Sequence, residues 1–240
     1  MNRFFVDLPL ATSQTITLPD VVYRHWCKVL RAKIGDTAVL FNGKGGEFSA
    51  TLSAIDKTSA SVEIGAHHSD NRTPPHMVTL GQVMSKGDRM DYAIQKATEL
   101  GVHRIQLLTS ERCEMRLKYE RDQKKLTHWQ NIAIAACEQC GLNIVPEILP
   151  PMDVREWVGV ADGLKIVMAV TDGKSALPTP LPERISLLIG AEGGLSADEI
   201  HLACEHGFIP WTIGERVLRT ETATVVGLSA LQVLAAISSR

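Results

Sequence analysis

The chain contains 240 residues, of which 45% are hydrophobic and 22% are charged, and its formal net charge at pH 7 is −2. This length and composition are typical of a globular protein with one large domain or two smaller ones. The balanced charge excludes a globally basic nucleic-acid-binding protein, so any contact with nucleic acid must depend on local clusters. We find no apolar run of membrane-spanning length and no long apolar core at the N-terminus. We therefore expect a soluble, cytoplasmic protein without a membrane partner.

Five cysteines are scattered along the chain. An odd number at irregular spacing does not indicate a disulfide framework. Cys137 and Cys140 form a C-x-x-C pair, but no second pair occurs at zinc-binding spacing. The pair also lies near the end of a predicted helix, whereas redox-active cysteines are usually activated at a helix N-terminus. We expect buried or half-buried helix cysteines and no metal site.

The first ~70 residues contain short β-prone segments that are separated by turn signals such as Asn42-Gly43 and Gly45-Gly46. The predicted strands are Thr15–Leu18, Ala38–Phe41, Glu47–Leu52 and Ser61–Ile64. One short helix is predicted over Asp20–Val29. This pattern predicts a small β-barrel. The polar stretch His67–Pro75 is interpreted as a solvated linker, in preference to a metal site built on its two histidines.

After this stretch, predicted strands alternate with predicted helices, which is typical of a parallel sheet covered by helices. The predicted strands are Val78–Val83, Arg104–Thr109, Leu164–Val170, Ile185–Ile189 and Phe208–Ile213. Pro210 argues for an edge position of the last strand. Helices are predicted after Asp88, from the capping boxes at Thr127 and Ser196, and over Glu221–Ile237, and glycines end the first three. The last helix is apolar on nearly all sides, which predicts burial in the core or at a subunit interface.

Three polar or glycine-bearing loops follow predicted strands, at the edge of the sheet where ligands usually bind. They are Val170–Gly173, Gly190–Gly194 and Ile213–Thr222. The G-x-G-x-x-G spacing of a dinucleotide loop and the lysine of a P-loop are both missing. Glu192 would also repel a phosphate group at close range. The loops therefore predict a ligand without phosphate, such as S-adenosylmethionine, over the alternative that the glycines only make tight turns.

Several segments of the chain resemble one known family. The segments LLIGAEGGLSADEI and IGERVLRTETA resemble the RsmE family of 16S rRNA uridine methyltransferases. The segments GQVMSKGDRMDYAIQKATELGV, SERCEM and HWQNIAIAACEQCG are similar to the same family, and HWCKVLRAKIGD is similar to its PUA-like barrel. These segments occur in the family's order and span almost the whole chain, so together they are far more specific than any single glycine loop.

The resemblance implies an α/β fold with two domains. A PUA-like β-barrel that binds RNA would cover residues 1–70, and a SPOUT methyltransferase domain would cover residues 74–240. The second domain would contain a parallel sheet with a deep trefoil knot, which periodicity cannot reveal. The resemblance also implies a homodimer that uses S-adenosylmethionine and methylates N3 of uridine 1498 of 16S rRNA within the assembled small ribosomal subunit.

Matched residue by residue, the resemblance assigns the cofactor to the three loops. The predicted cofactor-binding residues are Val170, Thr171, Gly190, Glu192, Gly193, Gly194, Ile213, Gly214, Val217, Leu218, Arg219 and Thr220. The chain departs from the family pattern at Ala191 and Glu215, where proline is usual, and at Leu142, where arginine is usual. Because proline would pre-set the backbone and arginine would add a charge, these departures predict weaker binding rather than lost activity.

Methyl transfer to N3 of uridine requires removal of a proton, so the site needs a base or a cation that stabilises the developing anion. Arg219 is the candidate cation, because a guanidinium stays charged and can bind a carbonyl oxygen. An ion pair with Glu221 or Glu192 is an equally open role for Arg219. Glu192 is the first candidate base, followed by Glu138, and the alternative for Glu192 is a carboxylate that only accepts backbone N–H groups.

Two basic runs are candidate RNA contacts. The predicted RNA-binding residues are Arg24, His25, Lys28, Arg31 and Lys33 in the barrel, and Arg112 and Arg116 from a run that extends to Lys125. Charge runs are usually solvated faces, but two of them in a chain of net charge −2 favour a polarised surface. Two rival functions remain open, namely an RNA-binding module of the same fold without turnover and an enzyme that acts on a small metabolite.

Overall fold

The computed structural model of the chain describes residues 1–115, 119–170 and 176–238. The chain separates into two compact units. The first unit comprises Met1–Thr73 and Cys137–Val145, and the second comprises Pro74–Ala136 and Pro146–Arg240. Each unit has a sheet of its own.

The first unit contains a five-stranded mixed sheet in the order β1-β3-β4-β5-β2. Its strands are β1 (Asn2–Phe5), β2 (Thr15–Thr17), β3 (Thr37–Phe41), β4 (Glu47–Ile55) and β5 (Ala60–His68). β1 pairs parallel with β3, and the other pairs are antiparallel. Alternate side chains of these strands enter one core, in which Leu40, Leu52 and Val62 are fully buried. This alternation follows from the two-residue period of a strand.

The helix predicted over Asp20–Val29 is confirmed and has two parts. α1 (Asp20–Tyr23) continues directly as a π-helical segment, Arg24–Val29. Trp26 and Cys27 of this segment enter the core of the first unit, while its basic side chains are exposed. Short π-helical segments occur frequently at functional sites.

The first unit differs from the sequence-based expectation in two places. The expectation omits β1, because four residues carry too little periodicity to be recognised. His67 and His68 belong to β5, where they pair with Phe48 and Glu47, so the linker interpretation is wrong for these two histidines. The His67 and Phe48 rings lie 4.6 Å apart between centroids. Pairing with β4, rather than local polarity, therefore decides the conformation of this stretch.

The second unit contains a six-stranded sheet in the order β11-β9-β10-β6-β7-β8, in which neighbouring strands are parallel. Its strands are β6 (Met77–Val83), β7 (Arg104–Thr109), β8 (Glu147–Asp153), β9 (Leu164–Met168), β10 (Arg184–Ile189) and β11 (Ile209–Trp211). The helices are α2 (Asp88–Glu99), α3 (Tyr119–Cys140, whose last four residues belong to the first unit), α4 (Val154–Val160), α5 (Ala197–Glu205) and α6 (Thr220–Ser238). The predicted α/β fold with a parallel sheet is confirmed.

The central strands of this sheet are apolar on both faces, as expected for parallel strands between helices. Leu80, Leu107 and Leu187 are each 1% exposed or less. Gly81 in β6 lies directly beneath the ring of Trp157 from α4, and a Cβ at this position would lie 2.5 Å from the ring. Glycine is therefore required for the close packing of α4 on the sheet.

Of the two predicted capping boxes, the structure contains the one at Ser196. Ser196 caps α5 as predicted, because its hydroxyl accepts the N–H of Glu199 and the Glu199 carboxylate accepts the N–H of Ser196. The capping box predicted at Thr127 is wrong, because α3 begins at Tyr119. The Thr127 hydroxyl donates instead to the carbonyl of Gln123, one turn earlier. Inside a helix, a threonine commonly makes this bond to the preceding turn.

The sequence-based prediction omits β8 and α4. β8 contains Pro150, which cannot donate to a strand ladder and therefore hides the strand. β8 lies at one edge of the sheet, where proline is tolerated, and β11 lies at the other edge, as Pro210 predicted. α4 has seven residues, too few for a recognisable helical pattern. Its start is fixed by Asp153, whose carboxylate accepts the N–H of Arg155.

The last helix, α6, is partly buried. Leu228 and Leu231 are 2% exposed, whereas Val233 and Ile237 are 57% and 65% exposed. The window Thr220–Ile237 has 18 residues and a mean hydropathy of 1.4, and 39% of it is buried. By length and composition it could cross a membrane, so the expectation of no apolar run of that length is wrong by this measure. The core helix of a globular protein can have the same length and mean hydropathy.

Candidate functional site

A cavity of about 300 Å³ lies at the carboxyl ends of β9, β10 and β11 in the second unit. This is the edge at which open parallel sheets bind ligands, and the volume is that of a small-molecule site. The described lining residues are Met168, Ala169, Val170, Ile189, Gly190, Ala191, Gly194, Leu195, Ile200, Trp211, Thr212, Ile213, Gly214, Arg216, Val217, Leu218, Thr220 and Ala223. The loops after these three strands therefore converge on one cavity.

Most of the predicted cofactor-binding residues line this cavity. They are Val170, Gly190, Gly194, Ile213, Gly214, Val217, Leu218 and Thr220. Glu192, Gly193 and Arg219 belong to the same loops but are not among the lining residues. Thr171 lies outside the described residues. The sequence analysis misses Met168 and Trp211, because apolar residues at strand ends carry neither a polar nor a glycine signal.

The loop after β10 makes a tight turn at the wall of the cavity. Gly194 has a φ of +67°, which favours glycine. The N–H of Gly194 donates to the carbonyl of Ala191 at 2.9 Å, and a Cβ at Gly190 would lie 3.0 Å from the backbone of Gly194. The turn therefore closes with alanine at position 191, where the resemblance predicts proline. Ala191 is 6% exposed.

A buried polar network holds this loop to the start of α6. The Thr220 hydroxyl donates to the carbonyl of Gly190 at 2.6 Å and accepts a hydrogen bond from Nε2 of Gln82 at 3.0 Å. Oε1 of Gln82 accepts from the hydroxyl of Thr224 at 2.7 Å. Gln82 and Thr224 are 1% and 0% exposed, and the sequence analysis misses both. A glutamine inside an apolar strand is the one local signal for such a network, because a buried amide needs partners.

The Glu192 carboxylate pairs with Arg89 at 2.9 Å, and its side chain is 37% exposed. Burial raises the pKa of Glu192, but hydrogen bonds from backbone N–H groups and from Arg89 outweigh burial and lower the pKa below its ordinary value. A general base is most effective when its pKa lies near the operating pH. This geometry favours the alternative role of Glu192, a loop carboxylate that accepts backbone N–H groups and an ion pair.

Two further contacts fix the same loop from the side of β7. The Glu199 carboxylate, which is 2% exposed, accepts the N–H groups of Ser196 and Glu111 at 2.8 Å each. Nη1 of Arg112 donates to the carbonyl of Gly193 at 3.1 Å. Arg112 was predicted to bind RNA, and within the described residues it supports the glycine loop.

The third loop carries two arginines, of which Arg216 lines the cavity and Arg219 does not. Arg219 is exposed, and in the described part of the chain its guanidinium forms no ion pair. Of its two expected partners, Glu192 pairs with Arg89, and Oε2 of Glu221 is buried without a hydrogen-bond partner among the described residues. Arg216, which the sequence analysis did not single out, lines the cavity.

Glu138 and Leu142, which the sequence analysis connected with the site, lie in the first unit. The Glu138 carboxylate accepts the N–H of Phe5 at 2.8 Å, and burial raises the pKa of Glu138. Leu142 is 5% exposed and packs in a small core with Phe41. At the position where the resemblance predicts arginine, this chain therefore has a packed apolar side chain.

The cysteine pair is a feature of the α3 helix. Cys137 is buried and Cys140 is partly buried, and both are free. Burial is the main cause that raises the pKa of the Cys137 thiol to about 12. A thiol with a raised pKa is a poor nucleophile at neutral pH, so the expectation of packed helix cysteines is confirmed.

The predicted RNA-binding residues of the first unit lie on the π-helical segment and the loop after it, here called the basic segment (Arg24–Lys33). Its five predicted RNA-binding side chains are exposed. Arg24 pairs with Asp20 at 2.9 Å, and Nζ of Lys28 lies 5.1 Å from the centroid of the Tyr23 ring. Exposed interactions of this kind are weak, so these cations can exchange partners. Arg116 lies outside the described residues.

The chemistry of the cavity wall suits a ligand with apolar surface and hydrogen-bonding edges. Among the described lining residues, most side chains are apolar, and Arg216 is the one that carries a full charge. The glycines at 190, 194 and 214 lie in the wall, where the missing side chains allow a ligand to approach the backbone closely. A phosphate cradle would need several N–H groups directed at one anion together with a lysine, which this lining does not supply.

The chain matches two family models. Residues 72–232 match an RNA methyltransferase domain, and residues 18–65 match an RNA methyltransferase PUA domain. A curated relative, ribosomal RNA small subunit methyltransferase E of Buchnera aphidicola, is 36% identical over 96% of this chain and 95% of its own length.

Two solved structures share the fold at high similarity. Ribosomal RNA small subunit methyltransferase E from Neisseria gonorrhoeae, bound to S-adenosyl methionine, has a TM-score of 0.91 and 38% identity over 98% of each chain. A putative methyltransferase from Legionella pneumophila, in complex with the cofactor SAM, has a TM-score of 0.91 and 38% identity over 96% of each chain.

Proposed function

This chain belongs to the ribosomal RNA small subunit methyltransferase E family, and we propose that it transfers a methyl group from S-adenosylmethionine to N3 of uridine 1498 in 16S rRNA. The observation that carries the proposal is the cavity of about 300 Å³ formed by the loops after β9, β10 and β11. Its wall offers apolar side chains and backbone edges without a phosphate cradle. This chemistry supports a cofactor that has no phosphate.

When bound, S-adenosylmethionine supplies a methyl group on a sulfonium. The chain's own part is to hold the two reactants in line, because placement supplies much of the rate of such a reaction. The glycine positions allow close backbone approach to an adenine edge, and Arg216 is placed to pair with a carboxylate. The Thr220 hydroxyl fixes the carbonyl of Gly190 and so keeps this part of the wall rigid.

Arg219 is the proposed catalytic cation. Its guanidinium is exposed next to the residues that line the cavity, and in the described residues it has no ion pair to break before it binds substrate. A cation stabilises the negative charge that forms on the uracil oxygens when N3 loses its proton. Glu192 remains a proposed cofactor-loop residue and a candidate base, and its lowered pKa supports a positioning role over proton abstraction.

The proposal extends to the two domains, the assembly and the location of the protein. Residues 1–70 act as a PUA-like barrel whose basic segment contacts rRNA, and residues 74–240 act as the SPOUT domain with a deep trefoil knot. Exposed Val233 and Ile237 on α6 support a homodimer, because apolar side chains of this kind are commonly covered in an assembly. A ribosomal substrate supports a cytoplasmic location.

Methyl transfer to ribosomal subunits tests the proposal. The protein is incubated with radiolabelled S-adenosylmethionine and with small subunits that lack the modification, while free 16S rRNA serves as the parallel substrate. The expected result is label recovered as N3-methyluridine, mainly from assembled subunits. Label on neither substrate, from a protein that still binds S-adenosylmethionine, would refute the enzyme and support an RNA-binding module without turnover.

A further inference from the structure

Two buried hydroxyl groups lie at the carboxyl ends of β6 and β7, outside the cavity described above. Ser85 follows β6 and Ser110 follows β7, and these residues are 1% and 6% exposed. Within the described residues, neither hydroxyl oxygen has a hydrogen-bond partner. A buried hydroxyl without a partner is unfavourable for folding, so each group needs a partner other than the described protein atoms.

The register of β6 with β7, continued past the strand ends, aligns Ser85 with Ser110. Val83 pairs with Leu108, and the N–H of Met84 donates to the carbonyl of Leu108 at 2.9 Å. Continuing this register by two residues puts Ser85 opposite Ser110. Opposite residues on neighbouring strands lie about 4.8 Å apart and project to the same face. This separation is close to that of the two carbonyl oxygens that flank N3 of uracil.

The glycine loop after β10 connects this hydroxyl pair with the cavity. Gly190 lines the cavity, whereas the neighbouring Glu192 pairs with Arg89 at the start of α2, just after β6. The carbonyl of Gly193 accepts a hydrogen bond from Arg112, two residues beyond Ser110. One loop therefore forms a wall of the cavity and also borders the ends of β6 and β7.

Two contacts join the loop after β7 to the end of β6, beside Ser85 and Ser110. Cys113 Sγ lies 3.3 Å from the carbonyl oxygen of Met84, so the loop after β7 lies against the end of β6. Lys86 pairs with Glu114 of that loop at 2.5 Å, and these side chains are 62% and 75% exposed. RNA phosphates compete for such exposed cations. An RNA phosphate that binds Lys86 would therefore release Glu114 from this pair.

We propose that Ser85 and Ser110 form the subsite for the target uracil and donate hydrogen bonds to its O2 and O4 oxygens. The inference rests on the proposed function and adds to it the residues that recognise the base. Loss of the N3 proton to water spreads negative charge onto both oxygens, so both hydrogen bonds strengthen as the anion forms.

Single substitutions in the full-length protein test the subsite. Ser85→Ala and Ser110→Ala are each expected to lower kcat/KM for unmodified small subunits by about 10- to 100-fold, the range for hydrogen bonds to charged groups. The affinity for S-adenosylmethionine should stay unchanged, because neither residue lines the cavity. The melting temperature should stay the same or rise, because each substitution removes a buried hydroxyl that has no partner among the described residues.

Ser186→Ala is the matched control. Ser186 is 1% exposed in the same sheet, but its hydroxyl donates to the carbonyl of Asp162 at 2.8 Å. This variant should melt at a lower temperature and keep its kcat/KM. The inference is overturned if Ser85→Ala and Ser110→Ala keep the wild-type kcat/KM, whatever their melting temperature. A wild-type protein that is inactive on the same subunits would instead refute the proposed function.

Discussion

Replacing Thr220 with valine tests the connection between α6 and the glycine loop. The Thr220 hydroxyl donates to the carbonyl of Gly190 at 2.6 Å and accepts from Nε2 of Gln82 at 3.0 Å. Valine keeps the branched shape but removes both hydrogen bonds. Nε2 of Gln82 retains its bond to the carbonyl of Val83, so the larger loss falls on the Gly190 carbonyl. Two lost hydrogen bonds at about 1 kcal/mol each lower the free energy of unfolding by about 2 kcal/mol.

For a chain of this length, about 2 kcal/mol corresponds to a decrease of about 4–8 °C in the melting temperature. The dissociation constant for S-adenosylmethionine should rise as well, because Gly190 lines the cavity. Thermal unfolding and calorimetric titration measure the two effects. Thr222→Val, an exposed change in the same turn of α6, should leave both unchanged. If Thr220→Val matches wild type in melting temperature and in affinity, the reasoning from this network is refuted.

Three further predictions concern both units. A hydrogen bond from Arg72 is the main cause that lowers the pKa of Glu47 from 4.5 to about 2. The lowered pKa stabilises the fold by about 3 kcal/mol above pH 4.5, and this stabilisation is lost as the pH falls toward 2. Denaturant unfolding should show the advantage of wild type over Glu47→Gln shrinking across this interval, and a constant advantage contradicts the assignment. Gly81→Ala puts a Cβ 2.5 Å from the Trp157 ring and should lower the melting temperature by at least about 4 °C; an unchanged value contradicts the packing. The basic segment predicts that subunit binding weakens steeply with added salt, and salt-independent binding excludes it as the RNA contact.

The parallel sheet could be predicted because its central strands are continuous apolar runs between helical patterns. Arg104–Thr109 has the predicted bounds, and β10 differs from its prediction by one residue. The capping box at Ser196 was recognisable because both of its reciprocal partners lie within four residues. The edge position of β11 followed from Pro210, whose missing N–H is a local property.

Elements that depend on distant partners could not be predicted from local pattern. β1 has four residues and is formed by pairing with β3, more than thirty positions later in the chain. His67 looks like a linker residue until β4 is placed beside it. Thr127 has the sequence of a helix start, but the helix pattern continues through it from Tyr119. Pairing with a distant strand decides the first two cases, and in the third the helix continues through a local start signal.

In the candidate site too, local sequence signals could be predicted and contacts between distant residues could not. The three loops were found from their glycines and polar residues, because those residue types mark turns after strands. The network of Gln82, Thr220 and Thr224 was not found, since it joins β6 to α6 across more than one hundred positions. The partner of Glu192 was also missed, because Arg89 belongs to a helix whose proximity depends on the pairing of β6 with β10.

A crystal structure of this protein with S-adenosylmethionine tests the central claim most directly. The account predicts cofactor density in the cavity at the carboxyl ends of β9, β10 and β11, bounded by Gly190, Gly194 and Leu218. It also predicts that the hydrogen bond from Thr220 to Gly190 is retained. Cofactor density at any other place on the chain, or a cavity left empty while titration shows binding, would contradict the assignment of the site.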